Sequence, residues 1–472
     1  MRALRTLAPV RPADPQKSVS NQRMRHAAFT VGLLAVIIEF AISGNTLENL
    51  GIDYASQGGN LLIKLHPGTY LAALGAFMAL VLVRPGGSGL IRFFRETPAL
   101  ALFIVLILFC ALYSIANVGF SGAAIYIESY LSAGLLAIAL EAGSDRQKRA
   151  LGWWIIGFCV LSIIISIGES ATQTHLIPLH IGDEPTKDMV DDVDEFRGAG
   201  LFGHPLTAAL ATSMATFLLL RMRMAGLLKA ALFTTLLIGL LSFGGRAALA
   251  TTVIMVGVAA AVVLVRGVVM RNLSMGFVGS IAAAVVILPP LMLMLITSTD
   301  IGARILSHMY VDDSAQVRSL QWLVLQHLNL HDVLFGVRPD RLDILKYQIG
   351  LGSDTTDIEN FWLLMFLNLG TIGFVVFLVA LALFIVHLGR TTAHPLGWML
   401  LLAAILIDST SNSLGRKSAD LLLMAAYMIA MSGFPRTAPA VSIPRRALTT
   451  LRQTSARLGI RPSQANLAGF KP

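Results

Sequence analysis

The chain has 472 residues, of which 55% are hydrophobic and only 13% are charged. Soluble proteins average roughly 45–50% apolar and about 25% charged residues, so this composition excludes an ordinary soluble domain. The formal net charge is +9, but the basic residues lie in short connections and two tails, where they orient a membrane protein and do not indicate nucleic-acid binding.

Apolar runs of roughly 16 to 24 residues recur along the chain, and a helix needs this length to cross the hydrocarbon of a bilayer. The alternating pattern of a membrane β-barrel is absent from the sequence. The sequence therefore predicts an all-α polytopic membrane protein with about twelve transmembrane helices. The predicted spans are 27–43, 61–83, 99–115, 123–140, 151–167, 204–220, 230–243, 247–265, 273–296, 361–387, 396–407 and 421–431.

These spans divide the chain into five regions. Most Lys and Arg residues lie in the tails and in every second connection, so both tails are predicted to be cytoplasmic and the two long loops to lie outside. We interpret the C-terminal tail as setting topology, with binding to anionic lipid as the alternative. The regions are a basic tail (1–26), nine spans with an acidic loop at 168–203 (27–296), a long loop (297–360), three spans (361–434) and a second basic tail (435–472).

The loop at 168–203 is strongly acidic. Such a run is most often a solvated surface. Binding of Ca²⁺ is the alternative, but the spacing matches no EF-hand loop, so no metal site is predicted. Cys110 and Cys159 fall inside apolar runs and indicate neither a disulfide nor a zinc site. The acidic residues of the loop are Asp183, Glu184, Asp188, Asp191, Asp192, Asp194 and Glu195.

The loop at 297–360 is the longest hydrophilic interruption of the chain. Apolar residues recur at helical spacing over 317–328, which predicts an amphipathic helix. Gly336 and Pro339 are expected to end this element, before a short second helix over 340–348. We expect the loop to be structured and to form a lid over a site at the outer membrane face.

Arg246 is the charged residue that most needs an explanation. It lies between two apolar spans with almost no loop, and an Arg at the centre of a membrane helix costs about 2.5–3.5 kcal/mol. The preceding Gly244 and Gly245 allow close backbone approach. We predict that Arg246 binds an anionic group at the outer face, and snorkelling to lipid phosphate is the alternative.

Arg197 and His204 bracket the segment RGAGLFGHP, which leads directly into the sixth predicted span. Its glycines predict a tight turn, and Pro205 suits the first turn of a helix. A single His at such a place is more often a hydrogen-bonded structural residue than a catalyst. Three carboxylates toward the outer ends of their spans either bind a sugar or pair with a neighbouring Arg, namely Glu39, Glu128 and Glu169.

Three further carboxylates, Asp354, Asp357 and Glu359, stand at the start of the tenth predicted span. A carboxylate that enters a region of low dielectric becomes a stronger base. Each of the three is therefore a candidate general base.

Taken in order, several short motifs resemble the O-antigen polymerase and ligase superfamily of bacterial membrane glycosyltransferases. The resemblance covers about residues 195–390 and is greatest for exopolysaccharide-type members. It departs from the family at Glu359, where the family has a His. The motifs are Phe202-Gly203-His204-Pro205, Ser242-Phe243-Gly244-Gly245-Arg246-Ala247, Arg318-Ser319-Leu320-Gln321-Trp322, Leu334-Phe335-Gly336-Val337-Arg338, Glu359-Asn360-Phe361-Trp362-Leu363 and Leu369-Gly370-Thr371-Ile372-Gly373.

The resemblance implies a GT-C-like fold in the bacterial inner membrane and a polymerase that transfers a polyprenyl-pyrophosphate-linked glycan to an acceptor sugar hydroxyl at the periplasmic face. The implied reaction is inverting and uses no metal or cofactor. Arg246 and Arg318, with Arg197 as a third, would bind the pyrophosphate, and Glu359 or His204 would be the base. The implied partners are the lipid-linked oligosaccharide, a flippase and a chain-length regulator.

Two other functions remain as alternatives at this point, as does a non-catalytic role as an assembly partner in a polysaccharide export complex. Ligase-type transfer to a different acceptor fits the same family. A twelve-helix transporter fits the same topology, but transporters usually place polar residues near the bilayer midplane on broken helices. Here the notable charges crowd the outer face and one long loop, which favours an enzyme. The sugar, the linkage and the oligomeric state stay open.

Overall fold

The computed structural model describes a helical protein. The described residues are 15–52, 54, 62–83, 88–177, 180–181, 184–185, 196–269, 320–350, 358, 360–411 and 417–435. Within them, strand pairing is limited to two residues on each side, where His180–Ile181 runs antiparallel to Glu184–Pro185. The predicted all-α class is confirmed.

Six of the described helices are long and apolar enough to cross a membrane, and five more are apolar but have only 10–17 residues. These eleven helices coincide with eleven of the twelve predicted spans. The ninth predicted span, 273–296, lies outside the described residues, so the number twelve stays a prediction.

The first part of the chain forms long helices with two π-helical turns. One such turn extends α3 at Met78–Leu82, and another joins α6 to α7 at Tyr126–Leu131. The helices are α1 (Pro15–Ala41), α2 (Gly44–Asn49), α3 (Pro67–Phe77), α4 (Ser88–Glu96), α5 (Pro98–Val118), α6 (Phe120–Ile125), α7 (Ser132–Glu141) and α8 (Asp145–Thr172).

The remaining described helices lie on either side of the gap at 270–319. Two short 3₁₀ helices accompany them, at Gly200–Phe202 and Trp322–His327. The α-helices are α9 (Pro205–Arg221), α10 (Gly226–Ser242), α11 (Arg246–Val269), α12 (Leu330–Phe335), α13 (Pro339–Gln348), α14 (Phe361–Thr392), α15 (Pro395–Ser411) and α16 (Asp420–Ser432).

Helix ends collect at two faces of the bundle. We call the face at which α1 and α8 end and α3, α9, α11 and α14 begin the loop face, and the opposite one the far face. At the loop face, the Oγ atoms of Ser166 and Ser242 are 2.6 Å apart. At the far face, Arg149 donates to the carbonyl of Gly433 at 2.9 Å and Arg221 donates to the carbonyl of Phe434 at 3.0 Å.

Helix α16 is the centre of the bundle. Its residues from Leu421 to Met431 are buried, and it packs against α7, α8, α9 and α14. A helix that is apolar on all sides belongs in a core or a membrane. Tyr427, in the middle of α16, donates from its hydroxyl to the carbonyl of Ala211 on α9 at 2.8 Å, which satisfies its polar atom.

The described part of the long loop differs from the predicted amphipathic helix. Residues 322–327 form a 3₁₀ helix, and α12 begins afresh at Leu330 because Asn329 and Asp332 form a capping box. A side chain that caps the backbone competes with continuation of a helix through that point. Residues 320–327, the described part of the helix predicted over 317–328, are therefore helical, but 322–327 are 3₁₀ and not α-helical, and the short second helix is confirmed as α13.

Candidate functional site

Glu169 anchors the segment that carries Arg197. It lies near the end of α8 and is buried; its Oε2 accepts from the backbone N–H groups of Ala199 and Gly200, both at 2.8 Å. Its Oε1 accepts from the N–H of Leu176 at 2.9 Å. Of the two roles left open for Glu169, pairing within the protein is the one observed, although its partners are backbone groups and His175, whose Nδ1 lies 3.9 Å from Oε1, and not an Arg.

Glycine is required where this segment crosses α8. Gly200 has a φ of +57°, and a Cβ there would lie 2.6 Å from the carbonyl oxygen of Ser162. Further along, the side chain of Asn45 donates to the carbonyl of Gly203 at 2.6 Å. The predicted tight turn is confirmed, and it fixes the backbone between Arg197 and His204 on the loop face.

His204 caps α9. Its Nδ1 accepts from the backbone N–H of Leu206 at 3.2 Å, and Pro205 occupies the first helical turn. When Nδ1 of a neutral imidazole is an acceptor, the hydrogen lies on Nε2, which is then a donor. His204 is exposed, and because its second ring nitrogen carries a hydrogen while Nδ1 is engaged in the cap, the neutral ring is poorly suited to proton abstraction.

Arg246 begins α11 at the loop face and is exposed. Gly244 has a φ of +66°, and a Cβ on Gly245 would lie 2.5 Å from Cβ of Ala209 on α9. The two glycines therefore bring the start of α11 against α9, close to the end that His204 caps. Arg246 and His204 stand at the starts of two helices in contact.

Arg318 and Glu359, together with Asp354 and Asp357, lie outside the described residues. Their described neighbours in sequence are hydrogen-bonded to each other. The backbone N–H of Asn360 donates to Oε1 of the fully buried Gln321 at 3.3 Å, while the Asn360 side chain accepts from the N–H of Leu363 and caps α14.

Two motifs recognised separately in the sequence form one contact. The N–H of Val337 donates to the carbonyl of Leu367 at 2.6 Å. A Cβ on Gly336, whose φ is +96°, would lie 2.6 Å from the carbonyl oxygen of Asn368. A Cβ on Gly370 would lie 2.5 Å from backbone atoms of Leu334. The turn after α12 therefore packs backbone to backbone on α14.

Helix α5 holds the same turn from the other side. The hydroxyl of Tyr113 and the side-chain amide of Asn117 both donate to the carbonyl of Phe335, at 2.9 and 3.1 Å. The hydroxyl of Thr371 on α14 donates to the carbonyl of Val333 at 2.8 Å. The described part of the long loop is thus docked on α5 and α14 at the loop face.

Sequence reasoning missed a buried pair at the same face. Nδ1 of His66 lies 2.9 Å from Oε1 of Glu39, and Nε2 of His66 lies 2.7 Å from the carbonyl oxygen of Ile42. Burial opposes the imidazolium charge, but the charge and hydrogen bond of Glu39 outweigh it, so the pKa of His66 is raised. Glu39 therefore pairs with a His and not with an Arg.

Glu128 extends this pair into a cluster. It accepts from the hydroxyl of Tyr54 and from the backbone N–H of His66 at 3.2 Å. Nζ of Lys417 donates to the carbonyl of Tyr54 at 2.9 Å and lies 4.8 Å from the centre of the Tyr54 ring, a distance typical of a cation–π contact. The two glutamates were noted in the sequence, but their partners are distant in the chain.

Among the described residues, no group of three His, Cys, Asp or Glu side chains is placed to hold a metal ion. Arg197, His204, Arg246 and the docked part of the long loop thus all lie at the loop face, and the starts of α9 and α11 place His204 and Arg246 near each other. No family model, no curated protein and no solved structure matches the chain.

Proposed function

We propose that the chain is a membrane glycosyltransferase of the polysaccharide polymerase type. It transfers a glycan from polyprenyl pyrophosphate to an acceptor sugar hydroxyl at the loop face, which faces the periplasm of the bacterial inner membrane. The observation that carries this proposal is the exposed Arg246 at the first position of α11, packed beside the start of α9 and on the face where the long loop docks.

Arg246 would bind the pyrophosphate. The departing pyrophosphate gains negative charge in the transition state, and a guanidinium can stabilise it with two parallel hydrogen bonds. The N-terminus of α11 adds a positive partial charge at the same point. Arg318 and Arg197 are proposed as the second and third guanidinium groups on the strength of the family resemblance.

Glu359 is the proposed base. It takes the proton of the acceptor hydroxyl as the hydroxyl oxygen bonds to the anomeric carbon, and the bond from that carbon to the pyrophosphate oxygen breaks with inversion. One observation supports Glu359 over His204: Nδ1 of His204 is engaged in capping α9.

The polymerase assignment is supported over its two alternatives on different grounds. The family's His is Glu359 here, which favours a polymerase over a ligase. Against a transporter, the Asp, Glu, His, Lys and Arg residues of the described apolar helices lie toward the helix ends, and the deepest of them is Glu128, in the π-helical turn at Tyr126–Leu131. Transporters instead bind their substrates near the midplane on interrupted helices.

The proposal is tested by Arg246→Ala in the purified protein, reconstituted with lipid-linked repeat units. Loss of one donor to the developing charge should slow polymerisation roughly 10²–10³-fold. Arg246→Lys should recover only part of the rate, because an ammonium lacks the planar fork. Arg146→Ala is the matched control, since Arg146 is exposed at the far face.

Full-rate polymerisation by correctly inserted Arg246→Ala would refute the assignment of this residue.

The glycans that accumulate in cells lacking the protein distinguish a polymerase from a ligase. Unpolymerised single units on the carrier indicate a polymerase, and long chains stranded on the carrier indicate a ligase. Failure of the reconstituted protein to lengthen glycan without an ion gradient would exclude the enzyme.

A further inference from the structure

A groove opens at the far face, where α14 ends and α15 begins. Its volume is about 670 Å³. The groove lies at the opposite end of the bundle from Arg246 and His204, so it is not part of the site already described. The residues that line it are Gly389, Arg390, Ala393, His394, Pro395, Trp398, Met399 and Leu402.

The polar end of the groove offers positive charge and hydrogen-bond donors. Arg390 lies in the last turn of α14 and is exposed. Nδ1 of His394 accepts from the backbone N–H of Leu396 at 3.2 Å, so the neutral ring carries its hydrogen on Nε2. Burial and the positive charge of Arg221 lower the pKa of His394, which keeps the ring neutral at pH 7.

The apolar wall of the groove continues along α15. Trp398, Leu402 and Leu406 follow at intervals of four residues and are 44%, 48% and 43% exposed. Residues at this spacing lie on one face of a helix. The ring of Trp398 packs over Gly389, where any Cβ would clash with it. The stripe therefore runs from the groove toward the middle of α15, as an acyl chain would.

We propose that this groove binds an anionic glycerophospholipid. The phosphate accepts hydrogen bonds from Arg390 and His394, and one acyl chain lies along Trp398, Leu402 and Leu406. Tryptophan is enriched at the level of lipid headgroups, which suits a headgroup at this height. None of the residues lining the groove is acidic, so the groove provides no carboxylate for the amine of a zwitterionic headgroup.

The test is native mass spectrometry of the full-length protein in detergent, titrated with phosphatidylglycerol or phosphatidylcholine. We expect a bound phosphatidylglycerol that Arg390→Gln weakens about tenfold or more, as for loss of a hydrogen bond to a charged group. Arg390→Lys should retain part of the affinity. Arg146→Gln, a change at another exposed arginine of the far face, should leave binding unchanged.

Three results would overturn the proposal: equal binding of the two lipids, unchanged affinity in Arg390→Gln, or displacement of the lipid by inorganic phosphate at equal concentration. The proposal would also be overturned if polyprenyl phosphate displaced the bound lipid as effectively as added phosphatidylglycerol does, because the occupant would then be the glycan carrier. Trp398→Leu keeps an apolar side chain and tests the stripe separately. We expect it to weaken long-chain phosphatidylglycerol more than a short-chain analogue.

Discussion

Three histidines of this chain stand immediately before a proline, and each caps the helix that the proline begins. In His204 and His394, Nδ1 accepts from a backbone N–H two residues later, at 3.2 Å. Nδ1 of His66 does the same at 3.1 Å when the ring is neutral, whereas the protonated Nδ1 donates to Glu39 instead. The proline rule predicts such helix starts from sequence. The pKa of His66 is raised and that of His394 is lowered. This difference could not be predicted, because each pKa depends on neighbours from other helices, as with Glu39 beside His66.

At the residue scale, we predict that His66 makes the stability of the protein depend on pH. Its pKa is raised in the fold, so its contribution is complete below the unfolded value of about 6.5 and is lost as pH rises through the higher folded value. His66→Asn can still cap α3 but does not titrate. The measurement is thermal unfolding in detergent. The unfolding temperature of the wild type should exceed that of this variant by more at about pH 5.5 than at about pH 8.5.

His327→Asn is the control for this measurement, because His327 is an exposed histidine in the described part of the long loop. Its unfolding temperature should follow the wild type across the same pH range. A difference between wild type and His66→Asn that stays constant with pH would show that His66 contributes only its helix cap.

At the element scale, local signals predicted helix boundaries better than they predicted helix type. Helix α12 ends at Phe335 before Gly336, and Pro339 begins α13, because glycine and proline act on the backbone directly. The 3₁₀ helix at Trp322–His327 was not predicted. The apolar residues of this segment are spaced as in an α-helix. The capping box that follows it consists of polar side chains, so a prediction from hydrophobic periodicity does not detect it.

We predict that Gly336→Ala undocks α12 and α13 from α14. A Cβ at Gly336 would lie 2.6 Å from the carbonyl oxygen of Asn368, whereas a Cβ at Gly350 would meet nothing within 4 Å. Both glycines have positive φ, so both alanine variants carry a backbone penalty of about 1–3 kcal/mol. Gly350→Ala is therefore the matched control. Hydrogen exchange over 330–348 should become faster in Gly336→Ala alone, and equal exchange in the two variants would argue against the docking contact.

At the scale of the whole molecule, hydropathy predicted the positions of the apolar helices but not their arrangement. The run at 421–431 is the shortest predicted span, yet it forms the central helix α16. A helix enclosed by protein does not need to match the bilayer thickness, so its shortness is consistent with its place. Which short run becomes central depends on contacts between distant segments, which one sequence does not contain.

The orientation of the bundle is tested by single-cysteine labelling. Tyr347 at the loop face is 75% exposed and Leu227 at the far face is 86% exposed, while the native Cys110 and Cys159 are fully buried. We expect a membrane-impermeant maleimide to label Tyr347→Cys from the periplasm and Leu227→Cys only after the inner membrane is permeabilised. The reverse pattern would put Arg246 in the cytoplasm and exclude the proposed reaction at this face.

The central position of α16 has a consequence for biogenesis. The helices packed around it, α7, α8, α9 and α14, all precede it in the chain. The central helix is therefore synthesised after the helices that surround it. Until then those helices lack their contacts with a helix about 20 Å long. We expect a nascent chain stopped before Asp420 to leave the surfaces that α16 covers exposed and to be degraded by membrane proteases.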